Sequence, residues 1–176
     1  MKRESALVIV LVLISVALAA AQGPPQPGPE LKKLDYFAGT WRLEGDLKPS
    51  PFGPGGKFTG TENNEWGLGG FFLMSHSEFK MPMGGGTGLA VFGYKADEKV
   101  YVYHAFNSMG EAEDSKGMLE GDTWSWTSES KMEGKVMKGR FVIKVISPTS
   151  YSFKFDMQPE GGEWATVMDG KATKEK

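Results

Sequence analysis

Residues 35–45 read DYFAGTWRLEG, and the periodicity of the chain changes in the middle of them. Before Gly39, the apolar residues Leu31, Leu34 and Phe37 recur every third position, and Pro29 suits the first position of a helix. One or two helical turns of this kind are too short to be stable alone and must pack on something. After Gly39 the period falls to two. Trp41, Leu43 and Leu47 share one face, opposite Arg42, Glu44 and Asp46. Trp41 is thus expected to face inward beside the helical turn and plug one end of the fold. Gly39 lets the backbone turn sharply into the strand.

Working outward, the period of two persists to the end of the chain. Strands are expected at 40–48, 57–66, 70–80, 86–95, 99–107, 111–120, 122–130, 135–147, 149–158 and 163–173, with turn residues at nearly every break (GLGG, KADEK, EGD, SPTS, PEGG). Short connections favour antiparallel neighbours, and closing such a meander removes its exposed edges. The expected fold is therefore all-β: a single up-and-down antiparallel barrel of about ten strands with a short N-terminal helical plug. Strands three to five are apolar on both sides, so alternation leaves their faces open.

The chain has 176 residues, no cysteine, and a net charge of −2 with basic and acidic residues intermixed. It has one domain by length and no disulfide framework. Nothing in the charge pattern points to nucleic acid or an anionic membrane. Lys2 and Arg3, an apolar run from Ala6 and the small residues Ala19, Ala20 and Ala21 have the layout of a signal peptide cleaved after Ala21. The run is shorter than a membrane-spanning helix requires, so no anchor is expected after cleavage. The expected organisation is a signal peptide at 1–21, a Pro-rich leader at 22–30 and the barrel at 31–176. The expected location is periplasmic or extracellular.

The pattern resembles known proteins. Gly39-x-Trp41 after a short helical turn looks like the opening of calycin barrels, which include lipocalins, fatty-acid-binding proteins and nitrobindins. The segments LDYFAGTW (34–41), GLGGFFL (67–73), FGYKADEKVYVYHAFNSMG (92–110), GDTWSWTSES (121–130) and SPTSYSFKFDM (147–157) are similar to exported bacterial domains of unknown function placed beside nitrobindin. The resemblance implies a ten-stranded barrel and no established activity. Nitrobindins hold haem through a late histidine, whereas here the histidines are His76 and His104. Fatty-acid-binding proteins hold a carboxylate with interior cations on late strands. Here Arg140 falls on the outward face, and Trp164, Thr166 and Met168 are expected inside. No cofactor and no anionic lipid is expected.

Catalytic patterns are absent: there is no cysteine, no G-x-S-x-G and no H-E-x-x-H. A hydrolase or isomerase working through Glu62 or His104 is the enzymatic alternative. The second strand, KFTGTENNEW, places Phe58, Gly60, Glu62, Asn64 and Trp66 on its inner face. Buried polar groups need partners, so Glu62 and Asn64 mark either an internal network or a ligand contact. The candidate pocket is Glu62, Asn64, Trp66, Ser75, His104, Trp124, Trp126 and Tyr151. The expected ligand is small, mostly apolar and neutral. Odd-numbered connections share one end of a meander, are longer on average, and carry Phe52, Met81, Met83, Met109 and Met132. These are expected to rim one mouth. The alternative function is a filled barrel acting as an interaction module through that rim. No metal site is expected; the rival is Cu(I) on Met81 and Met83 with His76 near in sequence.

Overall fold

The computed structural model describes residues 25–50, 53–132 and 134–175. The expected signal peptide, the first three residues of the leader, and Phe52 lie outside them. Helix α1 (Pro29–Lys32) runs into a 3-10 turn (Lys33–Phe37). Ten strands follow: β1 (Gly39–Leu47), β2 (Gly56–Gly67), β3 (Phe72–Met81), β4 (Gly84–Lys95), β5 (Val100–Asn107), β6 (Ala112–Glu120), β7 (Thr123–Met132), β8 (Lys135–Ser147), β9 (Ser150–Pro159) and β10 (Ala165–Lys174). Each pairs antiparallel with its sequence neighbours, and β1 closes the barrel against β10 from Trp41↔Lys174 to Leu47↔Met168. Among the described residues no helix is long and apolar enough to cross a membrane.

The helical turn caps the end where β1 begins. Leu31, Leu34 and Phe37 are buried under it, and Trp41 is 0% exposed. Gly39 has φ +98°, a left-handed conformation that admits the sharp entry into β1. The Phe37 carbonyl accepts from Trp41 Nε1 at 2.8 Å and from Asn64 Nδ2 at 2.9 Å. Trp66 Nε1 donates to Asp35 at 2.6 Å, the Tyr36 hydroxyl to the Ser150 carbonyl at 2.8 Å, and the Tyr101 hydroxyl to Glu30 at 3.0 Å. The cap is therefore stitched to strands around the barrel by hydrogen bonds as well as by buried rings.

The structure resolves the faces that alternation left open. Leu73, Ser75, Ser77 and Phe79 of β3, Ala90 and Phe92 of β4, and Tyr101, Tyr103 and Ala105 of β5 turn inward. One expected face is corrected. A bulge between Thr166 and Met168 shifts the phase of β10, so Met168 faces the interior while Trp164 and Thr166 lie outside. There Trp164 sits under the Arg140 guanidinium at 4.5 Å, and Thr166 donates to Asp156 at 2.8 Å.

Two of the odd-numbered connections are shorter than expected, while the one between β1 and β2 stays long. β3 runs to Met81 and β4 starts at Gly84, leaving a two-residue turn; the β7–β8 turn is equally tight. Residues 84–86 extend a strand rather than a loop. Only the opposite end carries the helical cap.

Candidate functional site

Beneath the cap the barrel is hollow. An inner cavity of about 290 Å³ is lined by aromatic rings from several strands, among them Phe58, Phe92, Tyr103, Trp126, Tyr151 and Phe153. Its polar lining is Glu62 and Asn64 on β2 and Glu113 and Ser115 on β6. A wider vestibule of about 670 Å³ lies toward the uncapped end. Glu62, Phe92, Tyr103, Glu113 and Phe155 border both spaces. The room depends on small residues as well as large ones. A side chain at Gly117 would meet the Trp126 ring at 2.4 Å, so glycine there lets that ring lie flat on the wall of β6.

Glu62 faces inward from the middle of β2, in register with Trp41 and Ser77. Burial pushes its carboxyl up to about 7, and the Asn64 amide offsets only part of that shift. Asn64 is 3% exposed. Its Nδ2 is committed to the Phe37 carbonyl, while its Oδ1 is buried with no hydrogen-bond partner. Burial also pushes the phenols of Tyr103 and Tyr151 well up, and the Glu62 charge adds to both shifts. Glu113 adds to the shift of Tyr103 as well, so that phenol lies within the field of both carboxylates. Glu113 accepts from Ser115 Oγ at 2.6 Å.

The eight residues expected in the pocket separate into three groups. Glu62, Asn64, Trp126 and Tyr151 line the inner cavity, and Ser75 lines the vestibule. Trp66 and Trp124 do not line it. Trp66 is tied to Asp35, and Trp124, 2% exposed, packs edge-on against Phe37 at 5.3 Å; both serve the cap. His104 is on the outer face of β5, exposed and paired with Asp114 of β6. The phase of β5 decides this, because inward Tyr101 and Tyr103 force His104 outward.

Glu113 was not found by sequence reading. Met118 mimics an inward residue on β6, yet it is 57% exposed. The usable signal was Gly117 and Ser115, small residues that leave room for a facing tryptophan.

Met81, Met83, Met109 and Met132 all lie at the uncapped end, in different surroundings. Met81 packs half-buried against the core, Met132 borders the vestibule, and Met83 and Met109 stand in solvent. The Cu(I) arrangement does not form. His76 is on the outer face of β3, Met81 on its inner face, and five residue steps along the strand separate them by roughly 16 Å. Among the described residues no cluster of three or more His, Cys, Asp or Glu could hold a metal.

Comparison with solved structures gives the same architecture. Rv2717c from M. tuberculosis aligns with a TM-score of 0.59 at 12% identity, over 86% of this chain and 100% of that one. The S-type phycobiliprotein lyase CPES from Guillardia theta aligns with a TM-score of 0.52 at 10% identity, over 82% of this chain and 92% of that one. At these identities the likeness is one of fold, a calycin-like ten-stranded barrel. No curated protein matches the sequence. Residues 26–174, nearly all of the described barrel, match the family described as "Protein of unknown function (DUF1579)", and the chain belongs to that family.

Proposed function

We propose that this barrel is an exported binding protein that takes a small, mostly apolar ligand into its inner cavity through the uncapped end. The observation that carries the reading is the cavity itself: about 290 Å³ of space walled by rings, with a few polar groups placed on it. Binding sites for small molecules are built this way, concave and largely apolar with a few orienting polar groups. A filled barrel working through its rim would hold no such space.

Native mass spectrometry of protein purified from its own host tests this. A small co-purifying mass is expected, together with a mature chain beginning at Gln22. Ser115→Phe would fill the cavity from β6 and should abolish the adduct while leaving the far-ultraviolet circular dichroism of the barrel intact. Protein that carries no adduct, and takes up none of the aromatic probes named below, overturns the reading.

A further inference from the structure

A neutral ligand is expected from the sequence because no interior cation is visible in it. The structure adds a second carboxylate, Glu113, at the border of the cavity. Glu62 and Glu113 enter from opposite parts of the barrel wall and border the same cavity. No lysine or arginine lines that cavity. Arg140 pairs with Asp156 on the outer face, Lys174 lies over the Trp41 ring at the cap, and Lys131 borders the vestibule rather than the inner cavity. Glu62 is the buried one of the two, an acidic group in an apolar chamber without a cation, so its charge loses hydration without gaining a counter-charge, whereas Glu113 is exposed and borders the same cavity where it opens to the vestibule.

A second observation points the same way. The Asn64 carbonyl oxygen is buried, borders the cavity and has no donor. The amide cannot turn round to help itself, since its Nδ2 is held by the Phe37 carbonyl. The polar lining therefore offers acceptors, and the one at Asn64 Oδ1 is left without a donor. Around these acceptors stand the faces and edges of Phe92, Tyr103, Trp126 and Tyr151, surfaces that attract a desolvated cation.

We propose that the ligand of this cavity carries a protonated amine on a small apolar body, its N–H groups donating to Glu62 and Glu113 and its charge resting against the surrounding rings. This rests on the cavity being the binding site. An ammonium group supplies the missing counter-charge and further N–H donors together. Anionic ligands are disfavoured by the same two carboxylates. The other titratable groups facing Glu62 are the phenols of Tyr103 from β5 and Tyr151 from β9, both uncharged near neutrality, and Glu113 from β6. The remaining elements contribute apolar side chains to the inner cavity, such as Leu43, Phe92, Trp126, Ile143 and Met168.

Glu62 keeps its proton up to about pH 7, whereas a bound ammonium favours the ionised form. Amine binding should then release a proton, and affinity should rise with pH as Glu62 gives that proton up. A neutral ligand has the opposite preference, since it leaves the protonated acid undisturbed.

Three probes of one shape test this: naphthylmethylamine, naphthylmethanol and naphthoate, titrated against the whole protein by calorimetry. The amine is expected to bind about tenfold or more tighter than the alcohol at about pH 8, with naphthoate weakest, and its advantage to shrink toward about pH 6. Glu62→Gln and Glu113→Gln should each cut that advantage, and Glu62→Gln should flatten its pH dependence. If the alcohol binds as well as the amine, the amine assignment falls while the binding reading stands. If the amine binds but both glutamine variants match the parent, the assignment also falls. If none of the three binds, both readings fall.

Discussion

At the capped end of the barrel, the polar groups around the helical turn are answered. Trp41 and Asn64 share the Phe37 carbonyl, Trp66 holds Asp35, and Tyr101 holds Glu30. Halfway along the same barrel the situation reverses. Glu62 sits where burial raises its carboxyl, and the far side of the Asn64 amide has no partner. Asn64 belongs to both regions, with its nitrogen in the cap and its oxygen on the cavity. One region has been completed by the protein's own side chains, and the other is left for something else to complete. An unsatisfied buried group is a stability cost in a purely structural interior, so its survival beside an open chamber is what a binding site would look like.

The largest test of this contrast is at the cap. Trp41→Ala removes a fully buried ring and its hydrogen bond, and should cost roughly 3–5 kcal/mol in urea unfolding. A cost below about 1 kcal/mol would show that the cap does not close the barrel, and the contrast between the ends would collapse.

The next test concerns Glu62. Its folded-state pKa is raised above the unfolded value, so both states are protonated in acid and the group costs nothing there. As pH rises the unfolded chain loses its proton first, and stability falls until Glu62 ionises in the fold near pH 7. Glu62→Gln removes that loss. It should stabilise the protein by up to roughly 3 kcal/mol at about pH 8 and by nothing near pH 4, read from urea midpoints. A gain equal at both pH values would mean that packing rather than charge is responsible. A loss at pH 8 would mean that the carboxylate has a partner.

The smallest effect is expected at the rim. Met83 and Met109 are 73% and 61% exposed, so replacing both by Ser should shift stability by less than about 0.5 kcal/mol. Met81 is excluded from this pair because it packs against the core. A change in probe uptake without a change in stability would show that these exposed residues guard the entrance after all.

The strand pattern and the cap were legible in the sequence because they are local. A period of two, turn residues at the breaks and Leu31, Leu34 and Phe37 ahead of Gly39 each depend on neighbours within a few positions. Glu62 and Asn64 were legible for the same reason, since β2 is polar in the middle of its inward face. Tertiary structure decided the rest. His104 points outward because the apolar residues of β5 lie on both of its faces, and pairing with β4 and β6 chose between them. Trp164 and Thr166 lie outside because one bulge shifted the phase of β10. Trp66 and Trp124 belong to the cap because they lie at the end the helical turn covers. Glu113 borders the cavity while Met118 of the same strand is exposed because closure set the face of β6. Alternation along one strand gives two faces but not which is inside, and only the closed ring of neighbours makes that choice.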